Sequence, residues 1–154
     1  MDKTALIEQL LALVQSQYDR ALAALAGATE AATGEDTKAE SKYDTRGLEA
    51  SYLAAGQAEQ ADELAEAIAH LENAEFPEFD FDDPIAPGAL VEAEREGEVV
   101  FYLLAPAGGG LILETEDGES VTVLGPEAPL RQQLLGVTSG TILNEIDLAV
   151  LELM

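Results

Sequence analysis

The chain has 154 residues, 47% of them hydrophobic, and its 31 acidic side chains outnumber seven Lys and Arg to give a formal net charge of −24. This length suits one ordinary domain or two small ones, and the apolar content excludes a disordered acidic tail. So few cations exclude direct binding to duplex DNA or to an anionic membrane, because both need clustered Lys and Arg. A macromolecular partner should therefore present a basic surface, and the alternative that the acidity serves solubility stays open.

Neither secretion nor membrane insertion is indicated. The chain has no cysteine, which excludes disulfides and thiolate sites. Its first residues, MDKTALIEQLL, are amphipathic and lack the basic region and long apolar run of a signal peptide or a membrane span. We therefore expect a soluble, cytoplasmic protein.

The first predicted element is a long helix from Lys3 to about Thr33, with Asp2 as its cap. Apolar residues recur at steps of three to five, which predicts the face that packs. This face is formed by Leu6, Leu10, Leu13, Tyr18, Leu22 and Leu25.

A second helix is predicted from residue 45 to about residue 73. Its apolar stripe is Leu48, Tyr52, Gln57, Ala61, Leu64, Ile68 and Leu71. Two helices of nearly equal length with a short polar connection favour an antiparallel hairpin, a coiled coil over residues 1–75 with its tip at 34–44. Because a helix rises 1.5 Å per residue, about 30 residues would make a rod of roughly 45 Å that holds the tip away from the rest of the chain.

Residues 76–87 break the helical period and contain Pro77, Pro84 and Pro87, which predicts a linker. Three phenylalanines in this linker are interspersed with acidic residues. They are Phe76, Phe79 and Phe81. One interpretation is a partner-binding segment. The other, which we favour, is that the rings pack the base of the hairpin against the next domain.

Residues 88–154 show strand periodicity and predict a small, mostly antiparallel sheet domain, so the fold class is α+β. The candidate strands are residues 89–94, 99–105, 111–115, 120–124, 141–144 and 147–153. Glu116-Asp117-Gly118 is a hairpin turn signal. Residues 129–135 predict a short helix that ends at Gly136.

Three stretches carry a resemblance to a known family. Residues 34–58 read GEDTKAESKYDTRGLEASYLAAGQA, and residues 121–142 read VTVLGPEAPLRQQLLGVTSGTI. The third is Gly88-Ala89-Leu90-Val91. Together with the order of hairpin and sheet, they resemble the Gre family of bacterial transcript-cleavage factors over nearly the whole chain. The first is similar to the Gre tip, where acids precede a Glu-Asn-x-x-Tyr-like segment. The second is similar to the C-terminal signature with a Pro, a short helix and Leu-(Leu/Ile)-Gly, and the third to a Gly-Ala-x-Val strand opener.

The resemblance implies a transcription elongation factor that binds RNA polymerase. In the family, the hairpin enters the secondary channel and an FKBP-like sheet domain docks on the channel rim. Tip carboxylates help to hold a second Mg²⁺ in the polymerase's own active site, where the backtracked RNA 3′ end is hydrolysed. The chain would then be no enzyme on its own and would bind no cofactor stably.

The resemblance also implies site residues. The assisting catalytic acids, which share the Mg²⁺ with polymerase, are Asp36 and Glu40. The contacts of the tip with RNA or the channel are Lys38, Lys42, Tyr43, Asp44 and Arg46. The polymerase-docking residues are Pro126, Pro129, Leu130, Leu134, Leu135 and Gly136.

The tip departs from the family pattern in its spacing. One residue fewer lies between Glu40 and Tyr43, Asp36 lies four residues before Glu40 instead of three, and Ser41 stands where Asn is usual. An alternative function is therefore a non-catalytic regulator that binds the same channel. From the residues alone, the two acids also fit a solvated loop, and Tyr52 fits either a core position or stacking on a base. The oligomeric state stays open.

Overall fold

The computed structural model describes residues 1–33 and 46–154. These residues divide into two compact units. The sheet unit comprises Met1–Ala12 and Ala69–Met154, and the helical unit comprises Leu13–Ile68. The domain boundaries predicted near residues 75 and 87 stay predictions.

Both long helices are confirmed: α1 spans Lys3–Thr33 and α2 spans Arg46–Glu72. The start of α1 follows from its cap, since Asp2 Oδ1 accepts a hydrogen bond from the Ala5 N–H at 3.1 Å. Within the helical unit the two helices form a hairpin, and residues 17–24 of α1 line one groove with residues 57–64 of α2.

Within the helical unit, one set of wholly or partly buried side chains recurs at alternating steps of four and three residues. In α1 they are Val14, Tyr18, Ala21, Leu25 and Ala28, and in α2 Ala54, Gln57, Ala61, Leu64 and Ile68. An average step of 3.5 residues keeps one seam facing a neighbouring helix along its length. The small Ala side chains in this seam allow the two backbones to approach closely.

The predicted stripes were wrong at four positions, which are exposed. These are Leu13, Leu22, Leu48 and Tyr52. The prediction selected the largest apolar side chains. The 3.5-residue spacing instead selects Val14 and Ala21, each of which lies one position from an exposed Leu.

The sheet unit contains six strands and a short helix. They are β1 (Leu90–Arg95), β2 (Glu98–Leu104), β3 (Ile112–Glu114), β4 (Ser120–Leu124), α3 (Pro129–Leu134), β5 (Ile142–Leu143) and β6 (Leu148–Leu153). Each predicted strand, and the predicted short helix, is confirmed to within one residue at both ends. A single 3-10 turn at Asn144–Ile146 connects the last two strands. The strand order across the sheet is β3-β4-β2-β1-β6-β5.

The sheet is mixed and mostly antiparallel, as predicted. Four pairings are antiparallel, whereas β2 and β4 are parallel, with Phe101 opposite Val121. The chain leaves β2, forms β3 at the outer edge, and returns through the turn at residues 115–119 to place β4 between them. Because β3 runs opposite to β2 and pairs antiparallel with β4, β4 runs in the same direction as β2.

Both faces of the central strands are buried. One face packs against α3, through Tyr102, Leu104 and Val150 on the strands and Leu134 on the helix. The opposite face follows from the alternation of side chains along a strand. Its buried residues are Leu90, Phe101, Leu103, Leu113, Val121 and Val123. The first turns of α1 belong to this unit, and a Cβ placed on Gly108 would lie 2.6 Å from Leu10 Cδ1.

Candidate functional site

The predicted tip residues fall between the two long helices. Asp36, Lys38, Glu40, Lys42, Tyr43 and Asp44 lie outside the described residues, so their roles stay predictions. Arg46 is the first residue of α2.

The first turns of α2 present apolar side chains to water. Tyr52 is 71% exposed, and Leu48 and Leu53 are more than half exposed. Leu48 and Tyr52 are four residues apart, so they share one face of the helix. The core position expected for Tyr52 is therefore wrong, and its ring is free to contact a partner.

The predicted docking segment contains both surface and core residues. Pro129 opens α3 at a position where the missing N–H of proline costs nothing. Pro126, Pro129 and Gly136 are exposed, and Leu130 and Leu135 are half-buried. Leu134 has no exposed area. Its side chain packs in the core and anchors the segment to the sheet, so it is unavailable for direct contact with a partner.

Gly88 explains the strand opener in physical terms. Its φ is +90°, and a Cβ at this position would lie 2.6 Å from Glu75 O and 3.0 Å from Pro77 Cδ. Glycine alone tolerates both the left-handed backbone and this approach. The segment after α2 thereby passes directly over Gly88, two residues before β1 begins.

Arg131 is a buried cation that the sequence analysis missed. Its side chain is 7% exposed, and Nη1 donates hydrogen bonds to the carbonyl oxygens of Ala105 and Leu124. These carbonyls follow or end the parallel strands β2 and β4. Burial lowers the pKa of Arg131 below its ordinary value. The apolar spacing of α3 gives no signal for this role, because Arg131 lies beside the stripe of Leu130 and Leu134.

Lys3 connects three distant parts of the sheet unit. Its Nζ donates hydrogen bonds to Pro77 O and Met154 O and lies 5.1 Å from the centroid of the Phe79 ring. Burial lowers the Lys3 pKa to about 8, against a smaller opposing effect of Glu78. The start of α1, the segment after α2 and the end of β6 are thus joined at one ammonium group.

The described residues contain no group of three or more His, Asp and Glu side chains arranged to hold a metal ion. His70, in the last turn of α2, is exposed. None of the helices in the described ranges is long and apolar enough to cross a membrane.

Comparison with known proteins finds similarity among solved structures. No protein-family model and no curated protein matches the chain. The crystal structure of GreA factor homolog 1 (Gfh1) of Thermus thermophilus is 23% identical, with 94% of each chain covered and a TM-score of 0.36. A structure of the transcription factor Gfh1 is 26% identical, covering 88% of this chain and 81% of the other with a TM-score of 0.32. Along most of its length, the chain is similar to Gfh1, a homologue of GreA factor.

Proposed function

We propose that this protein is a Gre-like transcription elongation factor that binds bacterial RNA polymerase through its secondary channel. The observation that carries the proposal is the order of elements together with the positions of the Gre-like stretches. A hairpin of two long helices precedes the six strands along the chain. The strand opener at Gly88 leads into β1, and residues 121–142 form β4, α3 and β5. A factor of this type works in the cytoplasm, where polymerase is.

The proposed activity is stimulation of RNA cleavage that polymerase itself performs. The carboxylates of Asp36 and Glu40 are hard oxygen donors of the kind that Mg²⁺ prefers, and Mg²⁺ in the polymerase site would stabilise the attacking and leaving oxygens at the RNA 3′ end. Lys38, Lys42 and Arg46 could contact phosphate or channel acids, and Asp44 and Tyr43 would position the tip against RNA or the channel wall.

The sheet unit would dock on the polymerase through its α3 segment. The proposed contacts are Pro126, Pro129, Leu130, Leu135 and Gly136. Leu134 supports them indirectly, since its side chain is wholly buried. Substitutions at the exposed Pro126 or Pro129 would therefore test docking without removing a core side chain.

The second candidate is a non-catalytic regulator that occupies the same channel. The altered spacing of Asp36, Glu40 and Tyr43 favours it, because a shift of one residue in a tip moves a carboxylate by several ångströms. Metal ligation tolerates deviations of only a few tenths of an ångström. This candidate needs the hairpin and the sheet unit but not the acids.

The deciding experiment is transcript cleavage in backtracked elongation complexes. We expect the native chain to accelerate cleavage. The double variant Asp36→Ala/Glu40→Ala should lower this acceleration on the order of 100-fold and leave the affinity for polymerase unchanged. Glu59→Ala/Asp62→Ala is the matched control, since both acids are exposed on α2. Binding without cleavage would establish the regulator instead, and absence of binding would overturn both candidates.

A further inference from the structure

The segment between α2 and β1 is held at three points. Lys3 Nζ binds the carbonyl oxygen of Pro77. Phe79 is half-buried and packs against the core of the sheet unit. Ile85 is buried, and its N–H donates to Val137 O while its carbonyl accepts from the Gly136 N–H, both at 2.8 Å. The residues between Phe79 and Ile85 therefore have fixed ends.

A tight turn lies between these fixed ends. The Asp83 N–H donates to Asp80 O at 3.0 Å, and the Asp80 N–H donates to Asp83 Oδ2 at 2.8 Å. Asp80 and Asp83 are thus joined by two hydrogen bonds that close the turn, an arrangement that short acidic side chains favour. The conformation is set before any partner arrives.

Phe81 occupies the second position of this turn and is 65% exposed. Nothing in the turn requires an aromatic residue there, since its hydrogen bonds come from Asp80 and Asp83. Phe76 and Phe79, by contrast, are half-buried. Of the two interpretations of the phenylalanine segment, packing thus applies to the first two rings and leaves the third unexplained.

The ring is surrounded in sequence by negative charge. Glu78, Asp80 and Asp82 are exposed, and Glu78 also acts electrostatically on the Lys3 ammonium. A rigid aromatic side chain with a charged rim has the properties of a binding anchor, because burying the ring supplies affinity and the rim supplies orientation. The fixed turn lowers the entropic cost of association.

We infer that the turn of residues 80–83 is a docking loop that inserts the Phe81 ring into an apolar pocket rimmed by Lys and Arg side chains on RNA polymerase. The inference rests on the proposed function and adds a contact outside both the hairpin tip and the α3 segment. Charge complementarity selects the rim: three exposed carboxylates within three residues of Phe81 would repel an acidic pocket rim and attract a basic one.

The test is the affinity of the full-length chain for core RNA polymerase, measured by fluorescence anisotropy with Phe81→Ser. We expect binding to weaken by about 30-fold, as for a buried aromatic anchor. Ile112→Ser is the matched control, because Ile112 is 61% exposed on β3. It should change affinity by less than about twofold. Thermal unfolding should be unchanged in both variants, since neither side chain is buried.

A second variant tests the basic rim. Asp82→Asn keeps the turn, whose hydrogen bonds do not use the Asp82 side chain, and should flatten the dependence of affinity on salt. If the native chain binds and Phe81→Ser binds equally well, the docking loop is overturned while the proposed function stands. An unchanged salt dependence in Asp82→Asn would overturn the basic rim. If the native chain does not bind polymerase, both proposals fail.

Discussion

The side-chain amide of Gln9 forms both backbone hydrogen bonds of Glu114. Gln9 Nε2 donates to the Glu114 carbonyl oxygen at 3.2 Å, and Gln9 Oε1 accepts from the Glu114 N–H at 2.8 Å. Glu114 ends β3, which is an edge strand. One helical side chain thus replaces the neighbouring strand that this edge lacks, and it blocks pairing with another chain at that position.

We expect Gln9→Ala to lower the free energy of unfolding by about 1–2 kcal/mol, because two hydrogen bonds are lost. Amide hydrogen exchange at Glu114 should accelerate. Gln15→Ala is the matched control, since Gln15 lies on the same helix and donates only to the exposed Asp19 at 3.0 Å. Its effect should be about 0.2–0.5 kcal/mol. Equal effects in urea denaturation would contradict the role of Gln9.

The stability contribution of Lys3 should rise with pH. Burial lowers its pKa from 10.5 to about 8 in the folded protein. Between these values the unfolded chain binds more protons at Lys3 than the folded protein does, so the free energy of unfolding increases with pH across this window. Below pH 8 both states are protonated and the contribution is at its lowest. The measurement is the difference in unfolding free energy between the native chain and Lys3→Met at pH 7 and pH 10.

The neighbouring Glu78 supplies a second readout for Lys3. Because Glu78 opposes the effect of burial, Glu78→Gln should move the Lys3 pKa further down. NMR titration of the Lys3 side chain measures this shift directly. A midpoint near 10.5 in the native chain would show that burial does not control the group.

Replacing Arg131 should weaken the junction of β2 and β4. Arg131→Met leaves the Ala105 carbonyl without its hydrogen bond, although Leu124 O retains the Ala105 N–H at 3.1 Å. We expect a loss of about 1–3 kcal/mol in urea denaturation. Arg20→Met is the control, because the exposed Arg20 bonds only Ser16 O at 3.4 Å. A control effect as large as that of Arg131→Met would refute a special role for the buried guanidinium.

Gly88 should tolerate substitution less well than Gly97. Both have a left-handed backbone, with φ of +90° and +83°, so Ala is strained at either position. Only at Gly88 would the added Cβ meet other atoms within 4 Å. We expect Gly88→Ala to lower the free energy of unfolding by roughly 1–3 kcal/mol more than Gly97→Ala does. Equal losses would mean that the backbone over Gly88 shifts freely.

Local pattern was sufficient to predict which segments form helices and strands. The helical period of α1 and α2, and the two-residue alternation of the strands, are properties of neighbouring residues, so they can be read from the sequence. The turn chemistry at Glu116-Asp117-Gly118 likewise located the β3–β4 hairpin. The tip acids are predicted only through a resemblance, since their spacing has no periodic signal.

What the tertiary structure decided involves residues far apart in the chain. The parallel pairing of β2 with β4, the contact of Gln9 with Glu114 and the burial of Arg131 depend on which strand inserts beside which, and no local period encodes that choice. The same holds for the seam of the helices, where Ala21 is buried and Leu22 is exposed. The position of a side chain relative to the neighbouring helix, and not its size, decides its burial. The sequence by itself determined the elements and their charge, whereas packing between distant segments determined which side chains face the core, which carry hydrogen bonds, and which, like Phe81, remain on the surface.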